Sequence, residues 1–207
     1  MKKEKIFSTR VIAEIAIFSA IAFALDFLQG GLFRWAFPNG GSIGFAMLPI
    51  LLISYRRGFV PGLLCGLIVS FLQMMGGIYA VANSWYMVML QILLDYVLAY
   101  PMVSFAGLFA KKYREANSTK GKVTSLIFGC VIGGLLKLLC HYLAGIIFWS
   151  SSCPENFLGG PAVFSLVYNG EYMLVNITIN TLVMILISLK QPTLIIPKDK
   201  QEIKEAN

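Results

Sequence analysis

Long apolar stretches separated by short basic segments restrict this chain to a bundle of membrane-spanning helices. Hydrophobic residues make up 57% of its 207 residues and charged residues only 13%, whereas about 25% of a soluble domain is charged. Backbone groups in lipid must be paired within their own segment, so each apolar stretch is expected to be a helix. A span takes about 20 residues, and we therefore expect six spans and no sizeable domain outside the bilayer.

The apolar stretches predict one all-α domain over residues 1–190, followed by a polar tail over 191–207. Its six transmembrane helices are expected at residues 8–28, 42–55, 59–75, 87–110, 123–149 and 171–189. The second stretch is short and contains Pro49, so we expect a tilted or broken helix whose backbone groups find partners inside the protein. Two longer loops, residues 30–41 and 150–169, fall on one side of the membrane.

Basic residues predict the orientation of the bundle. They cluster at both ends of the chain and in the second and fourth connections, whereas the opposite face keeps only Arg34. The positive-inside rule then places both termini in the cytoplasm, beneath the plasma membrane. The net charge of +7 follows from this asymmetry, which indicates contact with anionic lipid of the bilayer rather than with nucleic acid. Glu14 interrupts the first apolar run, which favours a retained helix over a cleaved signal peptide.

Several functional classes lack the residues that they need. The sequence has no G-x-x-x-x-G-K-[ST] loop, so any energy from ATP must come from a partner. A single His and no Cys/His cluster argue against a metal site. The four cysteines form no close pair and are expected to be small packing residues. No nucleophile accompanies the ionisable residues within the spans, so we expect neither catalytic residues nor a bound cofactor.

Two ionisable residues, Asp95 and His141, lie inside the predicted spans. Such side chains cost several kcal/mol at membrane depth unless they face a protein interior or a wet cavity, so each marks a candidate site. Aromatic neighbours, Tyr96 and Trp149, accompany them. A carboxylate beside flat rings suits a small cationic ligand. Alternatively, Asp95 forms a structural ion pair with Lys137, one turn before His141.

The first span carries small residues at regular spacing. Ala16, Ala20 and Ala24 recur at every fourth position, so one stripe of the helix lets another backbone approach closely. The sequence alone leaves open whether that backbone belongs to this chain or to a partner.

Short motifs follow one another in order over most of the chain: MLPI at 47–50, SYRRG at 54–58, QILLDY at 91–96, GLF at 107–109, HYLAGIIFW at 141–149 and YNG at 168–170. Together they resemble the thiamine-specific substrate-binding subunits of energy-coupling factor vitamin transporters. The resemblance implies six helices and a vitamin site near the outer face. It also implies docking on one transmembrane subunit and two ATPase subunits, through the motif that includes Ala16 and Ala20.

The resemblance also implies which residues bind the vitamin. Asp95 stands where the family has a glutamate that contacts thiamine, so its carboxylate lies about one methylene farther back. Five further residues match binding positions directly: Tyr96, His141, Gly145, Trp149 and Asn169. Phe164 stands where a tyrosine is expected, and Trp35 and Tyr86 are approximate matches because the loop lengths differ.

The chemistry of thiamine suits these positions. The vitamin joins a permanent thiazolium cation to an aminopyrimidine and a hydroxyethyl tail, so Asp95 can supply the charge and Trp149 the stacking surface. Gly145 shares a helix face with His141 and is expected to leave room for a ring. We therefore expect a non-enzymatic thiamine-binding subunit of an ATP-driven importer. The alternatives are a subunit for another vitamin or thiamine precursor, a proton-coupled secondary transporter, and an intramembrane enzyme.

Overall fold

A computed structural model describes residues 8–33, 35–81 and 83–197. Within these ranges the chain forms six helices: α1 Thr9–Phe33, α2 Met47–Arg57, α3 Phe59–Met75, α4 Trp85–Glu115, α5 Thr119–Phe148 and α6 Gly160–Lys190. Four of them, α1, α4, α5 and α6, are long and apolar enough to cross a bilayer. The predicted all-α fold with six helices is thus confirmed. Arg34 and the basic residues before 8 and after 197 lie outside the described ranges.

The central helix is α2, which is almost entirely buried. Its 11 residues span about 16 Å, less than the roughly 30 Å of a hydrocarbon core. Residues 42–46, which were expected to begin this span, are not helical. Their backbone is paired instead by amide side chains: Asn176 Nδ2 donates to Ser42 O at 2.7 Å and Asn180 Nδ2 to Gly44 O at 2.9 Å. The expected internal partners of this irregular backbone are therefore present.

Helix α4 is irregular where it passes the centre of the bundle. It is π-helical over Leu93–Leu98 and 3₁₀-helical over Val103–Phe109. Pro101 has no N–H to donate to the carbonyl of Val97, and Ser70 Oγ lies 3.3 Å from that carbonyl and donates to it instead. Single π-helical turns are frequent at functional sites, and this one carries Asp95.

Further helix boundaries differ from the sequence-based expectation, including the end of α4, which lies at Glu115 rather than at residue 110. Helix α6 begins at Gly160 rather than at residue 171, and α1 continues to Phe33 rather than ending at 28. Pro161 in the first turn suits a helix start. The Gly, Pro and aromatic residues over 150–169 predict a loop, whereas the structure has a helix from Gly160 that carries two polar residues, Ser165 and Asn169, in its first half. Both are buried, 3% and 8% exposed, so they face the interior of the bundle.

The end of the bundle at Arg57 is held by an ion-pair cluster. Glu14 on α1 accepts from Arg57 Nε at 2.6 Å and from Arg56 Nη2 at 3.0 Å. Arg56 also donates to the carbonyl of Thr193 at 2.7 Å, and Ile195 is fully buried. Residues 195–197 of the expected polar tail therefore pack against the bundle, and residues 198–207 lie outside the described part of the chain.

The stripe of small residues on α1 faces away from the rest of the bundle. Ala16, Ala20 and Ala24 are all exposed. The sequence left open whether the stripe contacts this chain or a partner. The described residues do not make the contact within this chain.

Candidate functional site

One large cavity, with a volume of about 900 Å³, lies between α1, α4, α5, α6 and the loops that precede α2 and α4. This size falls within the usual range of small-molecule sites. The cavity lining contains seven of the residues that the sequence nominated for ligand binding: Asp95, Tyr96, His141, Gly145, Trp149, Phe164 and Asn169. These residues come from three helices, and folding brings them to one place.

Trp35 and Tyr86 are not part of this lining. Trp35 follows α1 and is 83% exposed, and Tyr86, in the first turn of α4, is 59% exposed. Both nominations depended on approximate matching through loops of different length, and the structure does not bring either residue to the cavity.

The carboxylate of Asp95 is hydrogen-bonded through both oxygens. His141 Nδ1 lies 3.3 Å from Oδ1, and the indole N–H of Trp149 donates to Oδ2 at 3.2 Å. The ion pair between Asp95 and Lys137 is not formed, because the Lys137 ammonium lies instead over the ring of Tyr100, 3.6 Å from its centroid. Asp95 therefore forms a polar centre with two ring systems on α5.

Helix α5 presents one continuous face to the cavity. Lys137, His141, Gly145 and Trp149 recur at every fourth residue, and all four line the cavity. Gly145 has a packing role that differs from the expected one. A methyl group on its Cα would lie 2.1 Å from Ser165 Oγ, so glycine here allows α5 and α6 to approach closely. The space beside Gly145 is taken by α6 rather than by a ligand ring.

Asn169 lies in the third turn of α6, and its amide is already bonded within the protein. Nδ2 donates to the carbonyl of Ser165 at 3.0 Å and lies 3.4 Å from that of His141. Oδ1 accepts from the hydroxyl of Tyr172 at 2.6 Å. The side chain thereby fixes α6 against α5 at the level of His141.

Aromatic residues that the sequence analysis did not nominate complete the cavity. Tyr79 stacks on Trp149 with ring centroids 5.3 Å apart and an interplanar angle of 29°. Two hydrogen bonds to the Tyr79 backbone hold its loop. Gln91 Nε2 donates to the Tyr79 carbonyl at 3.1 Å, and the backbone N–H of Tyr79 donates to the Tyr96 hydroxyl at 3.0 Å. The stacked pair of Tyr79 and Trp149 forms one wall of the cavity.

Tyr168 and Tyr172 were also missed. Tyr168 Oη donates to Gly40 O at 3.0 Å and accepts from the N–H of Asn39 at 3.1 Å, which ties the loop before α2 to α6. Tyr172 contacts the His141 ring edge-on, with centroids 6.3 Å apart. A sequence signal was available, because Phe164, Tyr168, Tyr172 and Asn176 recur at every fourth residue. The prediction of a loop over residues 150–169 conceals this repeat.

Comparisons with known proteins identify the family of this chain. A family model described as "Thiamine transporter protein (Thia_YuaJ)" matches residues 12–196. The chain is 35% identical to "Thiamine transporter ThiT" of Bacillus subtilis over 188 residues, which cover 89% of this chain and 93% of the relative. It is 29% identical to "Thiamine transporter ThiT" of Lacticaseibacillus paracasei over 196 residues, covering 91% and 92%.

A solved structure shows a similar fold. The structure of ThiT from Listeria monocytogenes superposes with a TM-score of 0.73 at 27% sequence identity, and the match covers 90% of this chain and 97% of that one. The relatives are named as transporters, and the family is not enzymatic. The transporter family and the four helices long enough to span a bilayer show that this chain is a multi-pass membrane protein. The family match over most of the chain shows that it belongs to the thiamine transporter family.

Proposed function

We propose that this chain is a substrate-binding subunit that captures thiamine in the cavity around Asp95. The observation that carries the proposal is the geometry of this carboxylate, which lies within hydrogen-bonding distance of both His141 and Trp149. A thiazolium cation needs a negative charge and flat walls, and a partly buried carboxylate beside an indole supplies both. The relatives named as thiamine transporters support the choice of vitamin.

The chain is proposed to work with a separate energising module rather than alone. Ala16, Ala20 and Ala24 form an exposed small-residue stripe, which allows another transmembrane helix to pack closely against α1. We propose that this partner is the transmembrane subunit of an energy-coupling factor transporter, and that two ATPase subunits use the ATP. The basic residues favour cytoplasmic termini and an outward-facing cavity in the plasma membrane.

One alternative within the same class is supported by two departures from the family pattern. Asp95 is shorter than the glutamate expected there, and Phe164 has no hydroxyl to offer. Phe164 packs in the structure against Phe157 and Tyr168, at centroid distances of 5.2 and 5.9 Å. A thiamine precursor or another vitamin that makes fewer polar contacts at this end of the cavity would fit the same features.

An uptake experiment tests the division of labour. Cells with and without an energising module would express the wild type, Ala16→Trp, Ala20→Trp or Trp149→Ala. We expect the alanine variants to bind thiamine after purification but to abolish uptake, because the bulky side chain separates the helices. Trp149→Ala should show the opposite order of effects, with thiamine binding by the purified protein lost first. Ile21→Trp, at an exposed position that is already bulky and lies outside the four-residue repeat of the stripe, is the matched control on α1 and should transport normally.

Two results would overturn the proposal. If uptake is undiminished with both alanines enlarged, α1 is not the docking surface. If thiamine accumulates in cells that lack any ATPase module, the chain is a self-sufficient carrier.

A further inference from the structure

A second polar cluster lies in the same cavity, away from Asp95. We call Asp26 on α1, Tyr100 on α4 and Lys137 on α5 the deep-end cluster. All three line the cavity. Along α5, Lys137 lies about 6 Å beyond His141 and about 18 Å from Trp149, the residue at the end of the helix. The cluster therefore lies well away from the loop that follows α5.

Tyr100 joins the two charged members of the cluster. Its hydroxyl donates to Asp26 Oδ1, and its ring carries the Lys137 ammonium 3.6 Å from the centroid. Tyr100 is 2% exposed and Lys137 7% exposed. The charged atoms of Asp26 and Lys137 are thus held on one aromatic side chain, in a setting that is shielded from bulk solvent.

Both charged groups retain hydrogen-bonding capacity toward the cavity. Within the described residues, Lys137 makes no hydrogen bond and no ion pair at contact distance, although an ammonium has three donors. Asp26 uses Oδ1 for Tyr100, and Oδ2 makes no hydrogen bond to a described residue. Buried charged groups are costly unless they are hydrogen-bonded. The cluster therefore offers a donor and an acceptor together to a ligand.

We infer that the deep-end cluster binds the terminal hydroxyl of the ligand and selects the free alcohol over its phosphate ester. A hydroxyl can donate to Asp26 Oδ2 while its oxygen accepts from Lys137 Nζ, which satisfies both groups. A phosphate could accept from Lys137, but it would place its negative charge against the Asp26 carboxylate. This inference rests on the proposed function, since it assigns one end of thiamine to this cluster.

The charge of the whole lining supports the same selection. Counted as formal charges, with histidine taken as uncharged, the lining carries those of Asp26, Asp95 and Lys137, which sum to one negative charge. That sum complements a monocation such as thiamine. A phosphate adds about −1.5 to −2, which brings the net charge of the ligand to about −0.5 to −1 and removes the match. Asp26 is the residue whose neutralisation would relax this discrimination.

Three probes on the purified chain test the inference: thiamine, thiamine monophosphate, and the analogue with an ethyl group in place of hydroxyethyl. The wild type should bind thiamine at least about tenfold more tightly than the monophosphate or the ethyl analogue. The ethyl analogue leaves the hydrogen-bonding groups of Asp26 and Lys137 unpaired, and the monophosphate places a negative charge against Asp26. Asp26→Asn keeps the shape and a carbonyl for Tyr100, and should narrow the preference for thiamine over its monophosphate at least about threefold.

Glu171→Gln is the matched control. It removes a carboxylate that is exposed and lies outside the cavity lining, so the ratio of the two dissociation constants should not change. The inference is overturned if the wild type binds the monophosphate or the ethyl analogue as tightly as thiamine, or if Asp26→Asn leaves the ratio unchanged. The ethyl analogue needs no variant, so this test holds even if Asp26→Asn fails to fold. Absence of thiamine binding by the wild type would instead contradict the proposed function.

Discussion

Trp149 donates its indole N–H to Asp95 Oδ2 at 3.2 Å, and this bond joins the end of α5 to the π-helical segment of α4. The carboxylate that would neutralise a cationic ligand and the ring that would stack on it are therefore fixed relative to each other. Each residue orients its partner, and each is proposed to contact the ligand as well.

Substitution of Trp149 separates these roles. Trp149→Ala should weaken thiamine binding by about 1–3 kcal/mol, the range for a desolvated cation–π and stacking contact. Trp149→Phe keeps a ring but not the N–H, so it should lose less. Binding is best measured by calorimetry, because the substitutions also remove a fluorophore. Trp85→Phe, at a position 79% exposed and outside the cavity lining, should bind like the wild type. Equal affinity for all four proteins would contradict a stacking role for Trp149.

The charge of Asp95 is tested by its isosteric amide. Asp95→Asn should reduce affinity for thiamine at least about tenfold and affect a neutral thiamine analogue much less, because only the cation loses a Coulombic partner. Asp95→Glu should be tolerated, since it restores the residue expected from the family. If Asp95→Asn weakens both ligands equally, the carboxylate acts by holding His141 and Trp149 rather than by facing the cation.

Some of this site could be predicted from the sequence, and the reasons differ from residue to residue. Asp95 and His141 stood out because ionisable groups within apolar spans are rare. Tyr79 gave no such signal, since it belongs to a loop and reaches Trp149 only through the tethering of that loop by Gln91. The alternative ion pair between Asp95 and Lys137 is not formed, because Lys137 lies over the ring of Tyr100, and its position on α5 does not reveal that this ring lies opposite.

Close packing at Gly145 predicts a stability effect with a built-in control. Gly145→Ala should destabilise the protein by about 1–3 kcal/mol, because the new methyl group meets Ser165 Oγ at 2.1 Å. Gly170→Ala adds the same group on α6, where nothing lies within 4 Å, and should be neutral or slightly stabilising. Thermal unfolding in detergent measures both. The double variant Gly145→Ala with Ser165→Gly should recover part of the loss, and failure to recover any would argue against this contact as the cause.

The ion-pair cluster at the opposite end of the bundle should also contribute to stability. Glu14→Gln removes the carboxylate that Arg56 and Arg57 contact at 3.0 and 2.6 Å, and should cost about 2 kcal/mol or more because Arg57 has a side chain only 2% exposed. Glu115→Gln breaks an exposed pair with Lys111 and should cost less than about 1 kcal/mol. Comparable melting temperatures for the two variants would mean that the Glu14 cluster is not a stabilising element.

Calorimetric titration of the purified chain with thiamine tests the central claim most directly. The cavity around Asp95 predicts saturable binding of one thiamine per chain, with no saturable heat from riboflavin and weaker binding of the pyrimidine precursor alone. Saturable binding of riboflavin or the precursor with none of thiamine would contradict the assignment of the vitamin. No saturable binding of any of the three would contradict the account of this cavity as a vitamin site.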